Sequence, residues 1–187
     1  MATAEKTPVL SSPVLGMVLF VLAEIMVFAA FISAFIIVKS NFTNWPPMGQ
    51  PRLPVWATAF NSVFLLASAW FIAKTCHLFV AKKTDPLVKP FFLVSIVLGL
   101  LFVLLQGREW FHLLRFGLTM TSSVYGSFFY VIIGFHALHV LGAVVALTLM
   151  YTRLLKGTLQ NESLKAIRVF WFFVVALWPI LYTLVYL

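Results

Sequence analysis

Apolar residues fall in long, nearly unbroken runs along this chain, and short polar stretches separate them. Five runs cover roughly 13–39, 54–80, 88–107, 122–152 and 167–187. Each reaches the length of about 20 residues that spans bilayer hydrocarbon. The separators read KSNFTNWPPMGQPRLP, AKKTDPLVKP, GREWFHLLRFGLTMTS and TRLLKGTLQNESLKAIR. Backbone N–H and C=O groups in lipid must find partners within their own segment, so the runs predict α-helices. No period-two alternation supports a barrel, and no internal repeat or low-complexity tract is present. The pattern predicts an all-α, polytopic membrane protein with five transmembrane helices. It places a single membrane domain at 13–187 behind a short N-terminal segment, 1–12. The opening MATAEKTPVLSSP carries little charge, and the run after it is too long for a signal-peptide core. The first span is therefore expected to be retained.

Composition agrees with the pattern. The 187 residues are 63% hydrophobic and 10% charged, against about 25% charged in soluble domains. One core could not hide so much apolar surface. The net charge of +8 does not indicate nucleic acid, because the cations sit at the ends of the apolar runs. There they set topology and meet lipid head groups. Lys6, Lys74, Lys82, Lys83, Lys89, Arg153, Lys156, Lys165 and Arg168 fall on one side; Lys39, Arg52, Arg108 and Arg115 fall on the other. Nine against four predicts a cytoplasmic N-terminus and a periplasmic C-terminus. The single cysteine, Cys76, rules out an internal disulfide and reads as a small apolar filler.

Candidate chemistry is confined to a few ionisable groups deep in the runs. Glu24 lies about 3 Å along the helix from the middle of the first run. A lone carboxylate there favours its neutral form. Two readings follow: a neutral Glu making one structural hydrogen bond, or a proton- or lipid-linked site. Phe20, Val27 and Phe28, one turn away, offer no partner. His136 and His139 share a face of the fourth helix at similar depth. A Glu–His pair across helices is geometrically allowed. Metal or haem ligation by the two histidines, in a stand-alone membrane redox protein, needs further convergent ligands. His77, His112 and Glu109 lie near run ends at other depths. Glu109-x-x-His112 is one such pair where a di-iron site needs two. Gln106, Arg108, Glu109 and Trp110 are expected to close the third helix. Trp45, Trp56, Trp110 and Tyr125 form an aromatic belt at one interface. A phosphate cradle, a nucleophile–base set and paired broken helices are all missing from the sequence. The residues point to an accessory or scaffold subunit.

Several stretches together resemble subunit III of the haem–copper terminal oxidases. YGSFFYVIIGFHALHVLGA at 125–143 is similar to the family's Y-G-S…G-F-H-x-x-H-V-x-G signature. LGMVLFVLAEIMVF at 15–28 resembles its first-helix motif around a buried Glu, and WPPMG at 45–49 its W-P-P-x-G loop. FNSVFLLAS at 60–68, LGLLFVLLQGREW at 98–110 and WFFVVALWPILYTLVYL at 171–187 follow in family order. The resemblance covers almost all of 13–187 and corresponds to the short five-helix bacterial form.

The resemblance implies a non-catalytic subunit of a respiratory cytochrome c or quinol oxidase in the bacterial inner membrane. That complex reduces O2 to water with proton translocation. Haem and copper belong to partner subunits I and II, and this chain holds no cofactor, metal or catalytic residue. Implied roles are phospholipid binding in an interhelical cleft, protection of the catalytic subunit during turnover, and support of proton uptake or oxygen access. A respiratory supercomplex is a further implied partner. By the resemblance, Glu24 takes the place of the buried Glu with His136 beside it, while His139, Arg153 and Lys156 match head-group contacts. The family's final helix usually reads W-H-F-V-D-x-x-W. Here Phe172 and Val175 replace its His and Asp, and Ala23 replaces a small hydroxyl residue before the Glu. This departure keeps an accessory protein of nitric oxide reductases as an alternative. The expected arrangement is His136 toward Glu24 and His139 toward a bound lipid.

Overall fold

Each apolar run is one long helix. The computed structural model describes residues 11–47 and 51–187. The helices are α1 (Ser12–Ser40), α2 (Val55–Ala81), α3 (Val88–Arg115), α4 (Val124–Leu155) and α5 (Asn161–Tyr186), and all five are long and apolar enough to cross a membrane. Among the described residues there is no strand.

Local chemistry marks the helix ends. Pro13 sits in the first turn of α1, where its missing N–H is not needed. The Ser123 hydroxyl caps α4, accepting a hydrogen bond from the Gly126 N–H at 3.0 Å. α3 and α4 both end on a left-handed glycine, Gly117 (φ 85°) and Gly157 (φ 72°). After α3, the Leu118 N–H reaches the Leu113 carbonyl and the Gly117 N–H reaches Leu114, both at 3.1 Å. Thr158 and Gly157 do the same to Arg153 and Leu154 after α4, at 3.0 and 3.1 Å. These paired bonds satisfy carbonyls left over at the helix ends.

Two boundaries differ from the sequence pattern. α3 does not stop at 107 but continues through GREWFHLLR to Arg115. That stretch has no proline, and it keeps an inward face, with Trp110 against Phe129 and Leu113 buried. α5 begins at Asn161, six residues before 167. Its polar first turn still buries Leu164 and Ala166. A polar residue ends an apolar run without ending a helix.

Helices α2, α3, α4 and α5 close a four-helix bundle in chain order, with α5 returning against α2. α1 lies outside it, seated on α5 and α4. The core is built on Trp171, Trp178, Phe102, Leu65, Ile72, Leu147 and Leu181. Gly99 makes room on α3 for the Trp171 indole reaching across from α5, since a Cβ there would lie 2.7 Å from that ring. Trp45, in the connection after α1, packs on Phe35, Phe42 and Tyr125. Met48 and Gly49 of the WPPMG loop lie outside the described residues, as does Lys6. The outer surface is ringed by Leu19, Met26, Ile37, Trp56, Phe60, Leu104, Leu138 and Val145. A surface of that kind matches lipid rather than water.

Candidate functional site

Glu24 of the first apolar run and His139 of the fourth meet where α1 crosses α4. His139 Nε2 lies 3.0 Å from Glu24 Oε2. The other ring nitrogen, Nδ1, lies 2.8 Å from the Phe135 carbonyl oxygen one turn back. A carbonyl only accepts, so Nδ1 carries a hydrogen. Glu24 Oε2 is buried and makes no well-aligned hydrogen bond among the described residues, so its contact with His139 is a close electrostatic one. Polar groups at mid-membrane depth turn toward one another rather than toward lipid. Aromatic rings surround the pair: Phe135, Phe28 and Phe170 have centroids 4.7, 5.4 and 6.3 Å from the His139 ring.

The expected pairing of His136 with Glu24 is therefore exchanged. Residues 136 and 139 are neighbours on the helix, but they look to different sides of α4. The His136 ring stacks on Trp178 of α5, centroids 5.2 Å apart and planes at 24°. It is 1% exposed, and neither ring nitrogen has a hydrogen-bond partner among the described residues. Nor is His139 free for a lipid head group. Arg153 and Lys156 are exposed at the end of α4. They lie 14 and 17 residues beyond His139, about 21 and 26 Å at the rise of an α-helix. One head group cannot touch all three. The structure thus brings Glu24 and His139 together, sets His136 apart in the bundle core, and leaves Arg153 and Lys156 at a membrane boundary.

The two histidine rings do not converge. Among the described residues no three His, Cys, Asp or Glu side chains are grouped as metal ligands. Glu109 and His112 line a recess with Arg52 and Arg108, a setting of cations rather than of converging ligands. Of the two substituted positions in α5, Val175 is buried, while Phe172 is 37% exposed with the Arg168 guanidinium 5.9 Å from its ring centroid.

Sequence reasoning missed a second polar seam, which ties α5 to its neighbours. Trp178 Nε1 donates to Ser62 Oγ at 2.7 Å, and Trp171 Nε1 to Ser68 Oγ at 3.2 Å. Ser95 Oγ of α3 donates to the Ser68 carbonyl at 2.9 Å. Gln106, read from sequence as part of a helix end, is buried inside α3 and donates to the Tyr186 hydroxyl at 2.9 Å. A signal was available: Ser62, Ser68 and Thr75 interrupt an apolar helix with small hydroxyls, which act as interhelical glue in membranes.

Fold and site together define a multi-pass membrane protein whose buried polar groups join helices. Residues 3–187 match the family described as cytochrome c oxidase subunit III. The chain is 31% identical to cytochrome c oxidase subunit 3 of Synechocystis over 92% of its own length and 74% of that protein's. It is 30% identical to the Corynebacterium diphtheriae subunit over 100% and 94% of the two lengths, and 33% identical to the human one over 91% and 67%. The chain belongs to the cytochrome c oxidase subunit III family. Membership implies a complex with other oxidase subunits.

Proposed function

We propose that this chain is the non-catalytic subunit III of a respiratory haem–copper oxidase in a bacterial inner membrane. It forms one membrane domain over 13–187, with the N-terminus cytoplasmic and the C-terminus periplasmic. It packs laterally on the catalytic subunit I, beside subunit II. Haem and copper reside in those partners, and O2 reduction takes place there. The role of this chain is to stabilise the catalytic subunit through repeated turnover. Arg153 and Lys156, on the cytoplasmic side, hold a phospholipid head group. Support for proton uptake or oxygen access belongs to the same role.

The Glu24–His139 pair carries this reading. A close, aromatic-shielded Glu–His pair suits a structural clasp between α1 and the bundle. It holds one wall of the subunit in place without redox chemistry. The test is a deletion of the chain from its native complex. The remaining complex should retain its haem spectrum and initial O2 consumption but lose activity sooner during sustained turnover. Loss of haem incorporation on deletion would overturn the proposal. In the intact complex, Arg153→Gln with Lys156→Gln should lower retained phospholipid and shorten the active lifetime; no change in either would remove their lipid role.

A further inference from the structure

We infer that the groove between α3 and α4 binds one small neutral aromatic alcohol drawn from the lipid, with its ring against Phe102 and Trp178 and its hydroxyl at Gln106 and His136. The site is on the other side of α4 from the Glu24–His139 pair, and it is independent of the role proposed for the subunit.

Residues of α3 and α4 border a recess of ≈ 190 Å³, with Trp178 of α5 at its inner side. Its wall is mostly carbon. The Phe102 and Trp178 rings meet there edge to face, centroids 5.0 Å apart and planes at 78°. Gly107 and Leu141 line its outer side and are exposed. A Cβ at Gly107 would meet nothing within 4 Å, so the recess opens on lipid where α3 lacks a side chain. An apolar-walled space of about 150 Å³ stays dry and takes a benzene-sized ring. No Asp, Glu, Lys or Arg lines the recess. A phosphate or ammonium would find no counter-charge there.

The buried polar groups of the lining lack partners. His136 is 1% exposed and Gln106 6%. Gln106 donates through Nε2 to the Tyr186 hydroxyl, but its Oε1 has no donor among the described residues. The His136 ring lies nearly flat on Trp178, a contact that uses its face and leaves both in-plane nitrogens unbonded. Trp110, a third lining residue, holds its indole Nε1 near the Tyr186 hydroxyl without a well-aligned bond. An amide oxygen accepts, and a neutral imidazole offers one donor and one acceptor. A single hydroxyl, which both donates and accepts, answers that set. Gln106 lies nine residues before the end of α3, about 14 Å along the helix. At that depth a neutral solute partitions readily and an ion does not.

The experiment uses the full chain with the subunits it retains on purification, held in lipid nanodiscs. A diazirine-bearing phenol is photo-crosslinked to it, and the labelled residues are mapped by mass spectrometry. Label should fall around Gly107 of α3 and Ala137 of α4, and para-propylphenol should displace it. Propylbenzene, which lacks only the hydroxyl, should compete about tenfold more weakly at equal concentration in the lipid phase, the loss of one buried hydrogen bond. His136→Phe, which keeps a ring on Trp178, and Gln106→Met should each narrow that preference without weakening propylbenzene. Gly107→Leu fills the groove mouth from an open position and favours the helix. It should abolish groove labelling without lowering the unfolding temperature, and it reads the site even where a polar variant is unstable. Equal competition by propylbenzene would overturn the proposal and reduce the recess to an apolar gap. Labelling indifferent to Gly107→Leu would also overturn it, as would displacement by phosphatidylglycerol as effective as by para-propylphenol.

Discussion

Glu24 and His139 each solve a problem the other creates. Either alone, at mid-depth and ringed by Phe28 and Phe135, would leave a buried polar group unpaired, at about 1–3 kcal/mol. Glu24→Leu and His139→Leu should therefore each destabilise, and the double variant should recover part of the loss. A double-mutant cycle on reversible unfolding in lipid measures this; strictly additive effects would show that the pair is not coupled. The same cycle with His136→Leu in place of His139→Leu should be additive, because His136 packs on Trp178 instead. Gly99 offers a second test. A Cβ there meets the Trp171 ring at 2.7 Å, so Gly99→Ala should cost about 1–3 kcal/mol through overpacking. Trp171→Leu in the same background should relieve part of that. Glu24 and both histidines were visible in the sequence as candidates. Which histidine meets Glu24 was not, because positions three apart point some 60° away from each other around the helix, and only the placement of α1 chooses between them.

At the scale of elements, the helices follow from apolar run length and their ends from local chemistry. Gly117 and Gly157 hold left-handed turns where a Cβ is disfavoured. Gly117→Ala and Gly157→Ala should each cost about 1–2 kcal/mol. Asparagine at the same positions should cost less, a ranking that thermal unfolding can read. The extension of α3 to Arg115 was hidden by Arg108, Glu109 and His112, which look like the start of a loop. They lie on an accessible side of a helix whose other side still packs Trp110 and Leu113. Polar residues near a membrane boundary end the buried run but not the hydrogen-bond ladder. The α2–α5 seam of Ser62, Ser68, Trp171 and Trp178 was half legible. Its hydroxyls stood out, while the indole donors arrive from more than 100 residues away.

At the scale of the molecule, four helices enclose the core and α1 is an outrigger on α4 and α5. Its attachment rests on the Glu24–His139 pair, the rings of Phe28 and Phe35, and the seam toward α5. The proposed orientation has a direct test. Lys82→Cys and Lys156→Cys should react with a membrane-impermeant thiol reagent from the cytoplasmic side, and Arg52→Cys from the periplasmic side; the reverse pattern would invert the topology. The buried Cys76 should stay silent under native conditions.

The sequence by itself determined that this is a five-helix membrane protein, since twenty apolar residues in a row admit few other structures. Its motifs also carried the family resemblance, and they located Glu24, His136 and His139 as its unusual interior groups. Tertiary structure alone decided how the helices are arranged, with α1 outside and α5 shared by its neighbours. It also assigned His139 rather than His136 to Glu24. The reason is physical. Hydrophobicity fixes how deep a residue sits, because depth depends on distance along the chain. Partners depend on which face of each helix turns toward which neighbour. In a chain apolar on nearly all sides, that choice is made by packing of shapes such as Gly99 against Trp171 and not by any stripe along one helix.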